Sequence, residues 1–552
     1  MKIGIIADEL AMVSVASVFE QLERTLVAQR HEVVRRPLEY YYASGGKQEA
    51  LCKDFLLNCD MVIGRIDDKV LRVREALDRQ PPMIGFLMGS MSRGAAEMAL
   101  WSRYLKSTDI LVGNCDGDVE ITEKFFKNAC IRKIPFAFDE STFYPVDEQR
   151  KQAIRAELGF QQEDRILLYS GRITIEKNLH TLFRIFSVLQ GLVPNIHLVI
   201  VGEPYNIPFS ALGMYPISIS ATLMRLMDDL RINKRQVHLI GRKGAAQLRD
   251  LYVISDLLVN LTLHHDENFG FAQVEAMACG TPVIGTSWGG LKDVIKHGET
   301  GYQVSTVVTD SGVKLNWWEA INRIVFLLEN EDVLQRLGDR CCSYAKEISS
   351  QAVFGQMLES LLNDCSKENR NGSGPLSTSD FADEFWLKCL PNEFSPPSFH
   401  RGQRSFEMYK ELITPYTGLT ENLIPDGEEL KAEQLLVLAV PVRVESNTLK
   451  PDDPIFPLEF EIPEANQDDC KAVLEVMRNE PIIEVKRLDK LIAARAENGF
   501  QTTLKWMLDK GILLRTKRMD AYLDPDMIGG NMGKPVFSIH SVDFATDVIV
   551  VK

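Results

Sequence analysis

Glu267 and Glu275 stand eight residues apart in the run ENFGFAQVEAMACGTPVIGTSWGG, residues 267–290. Between them Asn268, Phe269, Gly270 and Phe271 read as a loop entering a short helix. Helix formers follow from Ala272 to Ala278, then Gly280 as a stop, then the buried-strand run Pro282-Val283-Ile284. The first N–H groups of a helix lack acceptors within it and attract anions. Here those N–H groups belong to the Gly270 and Phe271 region. A carboxylate four residues into the helix can accept two hydroxyl hydrogen bonds. Phosphate at the helix tip with a diol beside Glu275 is the profile of a nucleoside diphosphate. The plainer alternative is a buried helix, a core strand and two solvated glutamates, and an isolated Glu-x7-Glu favours it. The flanking Phe-Gly and Gly-Thr-Pro-Val-Ile, together with a second motif upstream, tip the balance toward the ligand.

That second motif is Ser170-Gly171-Arg172-Ile173-Thr174-Ile175-Glu176-Lys177-Asn178, set between an apolar strand and an amphipathic helix. Ligands of doubly wound sheets bind at the carboxyl ends of strands. Gly171 lets the chain turn tightly. Arg172 offers a planar fork of donors and Lys177 a compact charge, which together suit two linked phosphates. Alone, the motif is equally a strand–loop–helix with two surface cations. Gly202, in Val201-Gly202-Glu203-Pro204, permits close backbone approach. Gly241-Arg242 ends a further strand, where backbone groups stand to meet the edge of a base. Gly289-Gly290, followed by Asp293, completes a series that would line one crevice.

These residues need a scaffold, and the alternation of apolar runs with amphipathic stretches predicts it. In residues 1–148 the runs are Ile3–Ala7, Met61–Gly64, Met83–Leu87 and Ile110–Gly113, with Ile131–Pro135 as a last strand. In residues 149–366 they are Arg165–Tyr169, His197–Val201, Val237–Ile240, Leu257–Asn260 and Val283–Gly285, separated by helices over Leu179–Leu189, Ile219–Leu230 and Ala246–Val253 and closed by helices over 317–364. Strand–helix alternation predicts parallel sheets covered on both faces, hence an α/β fold. Residues 367–380, including NGSGPLSTSD, read as a flexible linker. Beyond it, 381–552 reads as an α+β accessory domain. Its middle, 421–469, is acidic, rich in proline and poorly periodic. Residues 471–518 carry 11 basic against 6 acidic side chains. They read as three helices (Ala472–Asn479, Val485–Arg495, Phe500–Lys510) and a strand (Ile512–Arg515), the order of a winged helix.

Composition bounds the rest. The 552 residues suggest three or four domains, and a net charge of −15 argues against coating nucleic acid. Ten cysteines without a CxxC pair read as reduced, structural thiols, several in apolar helical surroundings (Cys59, Cys130, Cys279), and Cys341-Cys342 as neighbours on a helix. The start, MKIGIIADEL, enters a strand directly, and no apolar run reaches the roughly 18 residues of a membrane span, so a cytoplasmic protein is expected. A His264-His265-Asp266 metal cluster is disfavoured, because adjacent residues at a strand end point to opposite sides.

The order GRITIEKN, VGEP, LIGR and LYVISDLLVNLTLHHDENFGFAQVEAMACGTPVIGTSWGG resembles glycosyltransferase family 4. The resemblance is dense over 165–305, extends to 364, thins over 1–145 and stops before 381. It implies a GT-B fold, with two Rossmann-like, doubly wound domains facing across a cleft. It also implies a retaining sugar transfer without a covalent nucleophile, in which a nucleotide-diphosphate sugar is the donor and no metal or other cofactor is required. By resemblance Arg172 and Lys177 hold the donor diphosphate, Gly270 and Phe271 offer backbone N–H groups to it, Glu275 binds the ribose hydroxyls and Glu267 sits beside the sugar. The first domain departs from the family. Its first loop, Asp8 to Val13, has no glycine. Met88 stands where many members have a histidine, with Arg93 and Glu97 following, and Pro135-Phe136-Ala137-Phe138-Asp139 replaces Pro-Asn-Gly-Val-Asp. The donor half is therefore intact and the acceptor half divergent. The accessory domain is expected to engage the acceptor, a peptide, a protein or a small molecule, or to pair subunits into a homo-oligomer. Two other readings stay open: a phosphorylase or hydrolase of this fold, and a degenerate scaffold that binds sugar nucleotides without turnover.

Overall fold

The computed structural model describes residues 1–7, 13–37, 46–87, 98, 100–204, 218–263, 267–368, 374–389, 403–419, 430–453, 459–492, 500–517, 541–543 and 548–550. Two parallel sheets of six strands form the body. The first contains β1 (Lys2–Ala7), β2 (Glu32–Pro37), β3 (Met61–Arg65), β4 (Met83–Phe86), β5 (Ile110–Gly113) and β6 (Cys130–Lys133), in the order β2-β1-β3-β4-β5-β6. The second contains β7 (Arg165–Ser170), β8 (Ile196–Val201), β9 (Val237–Gly241), β10 (Leu257–Asn260), β11 (Val283–Thr286) and β12 (Gly301–Val304), in the order β12-β11-β10-β7-β8-β9. Numbered within its own lobe, the second sheet runs 3-2-1-4-5-6, the Rossmann order, and its direction of growth reverses between β7 and β10. Those two strands pair in parallel, Leu257 against Leu167. Central strands such as Ile166-Leu167-Leu168-Tyr169 are apolar throughout because helices bury both faces.

Edge strand β2 has no place among the expected runs. Its Glu-Val-Val-Arg-Arg-Pro sequence is half-buried at most, so it lacks an apolar signature. Cys130 lies in β6 and Cys59 in the turn before β3, so of the three cysteines expected in helical surroundings only Cys279, at the end of Phe271–Ala278, has them. Every described cysteine is a free thiol.

After β12 a hairpin, β13 (Thr306–Thr309) with β14 (Gly312–Leu315), precedes three helices, Trp317–Glu329, Glu331–Ser349 and Gln351–Glu368. The last returns to the first lobe, where the Gly355 carbonyl accepts from Gln29 and Asp364 meets Arg132. Residues 374–379, expected to be flexible linker, lie extended against the first lobe. Leu376 N donates to Leu105 O at 3.1 Å and Ser379 N to Phe125 O at 2.9 Å. The helix Asp380–Cys389 then surrounds Phe125 with Phe381, Phe385 and Trp386, at ring separations of 5.8, 5.7 and 5.5 Å.

The accessory domain has β15 (Leu435–Leu438), flanked by β19 (Ile482–Glu484) and β20 (Leu513–Thr516) in an antiparallel sheet. Helices Gln467–Asn479, Val485–Ile492 and Phe500–Asp509 pack on it around Leu436, Val473 and Leu504. The expected three helices and a strand are all present; β19, between the first two helices, is additional. A small antiparallel sheet of β16 (Val442–Glu445), β17 (Thr448–Pro451) and β18 (Phe460–Glu461) fills part of the stretch that lacked periodicity. This domain rides on the second lobe. Lys314 and Asp453 form an ion pair that is 2% and 6% exposed, and Trp317 Nε1 donates to Leu438 O at 2.9 Å. Among the described residues no helix is long and apolar enough to cross a membrane.

Candidate functional site

The loops after β7 and β10 meet where the second sheet reverses. Gly171, at φ 153°, and Gly202, at φ 149°, lie so close that a Cβ on Gly202 would stand 1.8 Å from Gly171 O. Only glycine permits this approach, and it leaves a crevice floor of bare backbone. Ile173 N donates to Glu203 O at 2.9 Å, which fastens the second loop to the first. Across the reversal, Asn178 Nδ2 donates to Leu261 O at 3.0 Å and Leu263 N to Glu176 O at 3.0 Å.

This bracing brings together two residues ninety positions apart. Lys177 Nζ forms an ion pair with Glu267 Oε2, the side chains being 12% and 13% exposed. Both stand at the point of a doubly wound sheet where ligands collect. Arg172, in the same loop as Lys177, is half-buried; its carbonyl accepts from the buried Tyr169 hydroxyl at 2.6 Å. Around the crevice Thr174 Oγ1, Asn178 Oδ1 and both amide atoms of Gln273 are buried with no hydrogen-bond partner among the described residues. Such groups are rare enough to need explaining, and a bound polar ligand is one explanation. Gln273 carries no motif signal and was not anticipated. It stands against the helix start, where a Cβ on Gly270 would lie 2.7 Å from its Oε1.

Helix Phe271–Ala278 begins on Gly270 at φ 92°, a residue with no side chain to cap it. Its opening N–H groups therefore remain able to receive an anion. One turn in, Glu275 accepts from the Tyr252 hydroxyl at 3.0 Å, and Ser170 Oγ lies 3.2 Å from the same hydroxyl. Burial pushes the Glu275 carboxyl up to about 8, with only the Tyr252 hydrogen bond opposing it. Arg242 follows Gly241, at φ 67°, at the end of β9, on the same edge of the sheet. The expected residues thus occupy the carboxyl ends of β7, β8, β9 and β10 and the helix that follows β10.

The first lobe closes over this edge. Phe136 lies parallel to Phe271, at 5.6 Å and 4°, and meets Phe269 edge-on at 5.6 Å. Asn268 Nδ2 donates to Leu87 O at 3.3 Å and to Asn114 Oδ1 at 3.1 Å. Lys133 bridges Asp116 and Asp293 across the seam, 2.7 Å from each. The Pro135–Asp139 departure from the family thus supplies the ring that seats one lobe on the other. Met88, Arg93 and Glu97 lie outside the described residues, as do His264, His265 and Asp266. Among the described residues no three His, Cys, Asp or Glu side chains group as metal ligands.

Known proteins resemble this chain in sequence and in fold. A family model for glycosyl transferases group 1 matches residues 150–340. N-acetyl-alpha-D-glucosaminyl L-malate synthase of Bacillus anthracis is 25% identical over 270 residues, 49% of this chain and 63% of that protein. D-inositol 3-phosphate glycosyltransferase of Segniliparus rotundus is 31% identical over 229 residues, 41% of this chain and 45% of that protein. The chain thus spans about half the length of these curated relatives. Among solved structures, Anabaena Alr3699/HepE in complex with UDP aligns with a TM-score of 0.51 and 16% identity, over 66% of this chain and 100% of that one. The body has the GT-B fold.

Proposed function

We propose that this chain, whose residues 150–340 form a group 1 glycosyl transferase domain, moves a sugar from a nucleoside-diphosphate sugar to an acceptor with retention of configuration, as a family 4 enzyme of the cytoplasm. One observation carries the reading: Lys177 and Glu267 meet at the reversal of the second sheet, one loop away from an uncapped helix that bears Glu275. The UDP held by a protein of the same fold supports a nucleotide ligand.

In this reading Glu275 accepts the two ribose hydroxyls and Arg242 lies by the base. Gly202 leaves room for the nucleotide at the crevice floor. The N–H groups at Gly270 and Phe271 and the cations Arg172 and Lys177 take the diphosphate. Lys177 then exchanges Glu267 for a phosphate oxygen, which releases Glu267 to the sugar hydroxyls. The bond from the anomeric carbon to the phosphate oxygen breaks, and the nucleoside diphosphate leaves with the electron pair. The acceptor oxygen attacks the cationic carbon from the same face and passes its proton to the departing phosphate. Arg172, Lys177 and the helix start stabilise the charge growing there. Such preorganised stabilisation is usually the largest catalytic term.

A thermal-shift screen of UDP-glucose, UDP-N-acetylglucosamine and GDP-mannose tests donor binding. A ligand at ~100 times its dissociation constant adds ~2.7 kcal/mol of stability. Nucleoside diphosphate release then tests turnover. No stabilisation by any of the three overturns the reading. Tight binding without release, with any acceptor, leaves a sugar-nucleotide-binding scaffold. Release from a simple glycoside that needs no nucleotide would instead favour the hydrolase.

A further inference from the structure

The accessory region sends one segment back between the lobes. After the helix Gln403–Ile413, a single 3-10 turn, Thr414–Tyr416, enters the seam, and Thr417 pairs with Trp288 in an antiparallel bridge. Tyr416 is 1% exposed and its ring lies 5.6 Å from that of Trp288. Lys292, in the second lobe, donates to Pro415 O. On the other side a Cβ on Gly117, in the first lobe, would stand 2.5 Å from the Tyr416 ring. The ring therefore fits between the Gly117 backbone of one lobe and the Trp288 ring of the other, which is not what a loosely tethered extension would produce.

The hydroxyl and the carbonyl of Tyr416 each lead toward Glu267. Its hydroxyl donates to Asp118 Oδ1 at 2.7 Å, and Asp118 Oδ2 accepts from Asn114 N at 3.1 Å. Asn114 Oδ1 accepts in turn from Asn268, the residue after Glu267, at 3.1 Å. On the opposite side Tyr416 O accepts from Gly289 N at 2.8 Å, and Gly290 N donates to Glu267 O at 2.6 Å. Neither glycine tolerates a side chain: a Cβ on Gly289 would lie 2.2 Å from Glu267 O, and one on Gly290 2.3 Å from Asn268 C. We infer that Tyr416 is a positioning residue for the transfer reaction, contributed by the accessory region, which holds the Glu267 peptide from both lobes at once. The inference rests on the role proposed above for Glu267. Asp118 is 1% exposed, and burial raises its carboxyl to about 6 against hydrogen bonds from Tyr416, Asn114, Cys115 and Asn268. The Tyr416 hydroxyl is the strongest of these donors, and a buried carboxylate depends on its donors. The loss of one hydroxyl should therefore loosen the ring without removing any group that touches the donor.

The test compares the full-length wild type with Tyr416→Phe, Asp118→Asn, the double variant and, as a control, Glu267→Gln. Each is assayed for nucleoside diphosphate release from whichever of UDP-glucose, UDP-N-acetylglucosamine and GDP-mannose the wild type binds. The dissociation constant of the matching nucleoside diphosphate is measured by calorimetry on the same samples. Tyr416→Phe should lower kcat at least about tenfold, the size expected when a hydrogen bond to a charged group is lost. Nucleotide affinity and binding stoichiometry should stay at the wild-type values, and the double variant should be no slower than the slower single one. A purely structural role would lower the melting temperature and the binding-competent fraction but leave kcat per competent site intact, and that result overturns the inference. So does full additivity of the two single effects. If Glu267→Gln also turns over normally, the role assigned to Glu267 fails, and the inference with it. Binding of none of the three sugars has the same consequence.

Discussion

The strand ends of the second lobe carry Arg172, Lys177, Gly202, Arg242 and Glu267. The facing edge of the first lobe, where described, presents Leu87, Asn114 and Phe136, and each of these touches the second lobe. Both edges belong to six-stranded parallel sheets with similar crossovers. In one, the edge is furnished with cations, glycines and an uncapped helix. In the other, an aromatic ring and amide groups do the work of docking. In the proposed reading the same architectural position thus serves ligand chemistry in one lobe, while in the other it serves lobe-to-lobe registration. A substitution on one side of the seam should therefore disturb what its counterpart leaves alone.

The largest expected effect tests the docking side. Phe136→Ala removes a ring that is 4% exposed and stacked on Phe271, and should destabilise the protein by about 3–5 kcal/mol. Chemical denaturation reads this as a lower midpoint, while nucleoside diphosphate affinity in the folded protein should change less than about threefold if the division between lobes holds. A collapse of affinity with stability preserved would erase the contrast. Next comes the chemical side. Lys177→Ala should slow nucleoside diphosphate release by about 10²–10³, roughly 2.7–4 kcal/mol, with a smaller effect on melting temperature. Arg172→Ala follows, weakening nucleoside diphosphate binding by about 1.5–3 kcal/mol, the worth of a hydrogen bond to a charged group, as calorimetry would record.

The smallest effect concerns pH. Glu275 is raised to about 8, so it is mostly protonated at neutrality in the free protein. Accepting two ribose hydroxyls favours its carboxylate, so nucleotide binding should release a proton. Affinity should then rise with pH up to about 8 and level off above it. The slope approaches tenfold, about 1.4 kcal/mol, per pH unit where binding releases a whole proton. Calorimetry in buffers of different ionisation enthalpy measures that proton, and Glu275→Gln should abolish both the slope and the release. The linkage to folding has the opposite sense. A raised carboxyl contributes stability that is complete below its ordinary value near 4.5 and fades as pH climbs through 8.

Legibility in the sequence followed burial. The interior strand Leu257–Asn260 was readable to the residue, because a fully covered parallel strand must be apolar along its whole length. Strand β2 was not, since half-exposed Arg35 and Arg36 interrupt its pattern. Strands β15, β16 and β17 are four residues each and lie in a proline-rich stretch where no period can establish itself. The hairpin after β12 hid for another reason. It buries Lys314, a residue that reads as surface until Asp453 is known to cover it. Arg172, Lys177, Glu267 and Glu275 could be named from spacing and loop chemistry. Their relation could not: nothing local says that Lys177 and Glu267 pair with each other. Phe136 looked like a missing motif, because the rings it meets in the second lobe, Phe269 and Phe271, are more than 130 positions away. Tyr416 had no signal at all, since Thr-Pro-Tyr-Thr-Gly reads as an ordinary turn.

The cluster around Phe125 has a consequence for biosynthesis. Its covering rings, Phe381, Phe385 and Trp386, emerge from the ribosome some 260 residues later, about 10–50 s at roughly 5–20 residues per second. Through that interval the nascent first lobe carries Phe125 without the three rings that later cover it. Newly translated molecules should therefore engage chaperones there, and a polypeptide halted before residue 380 should be far stickier than the finished one.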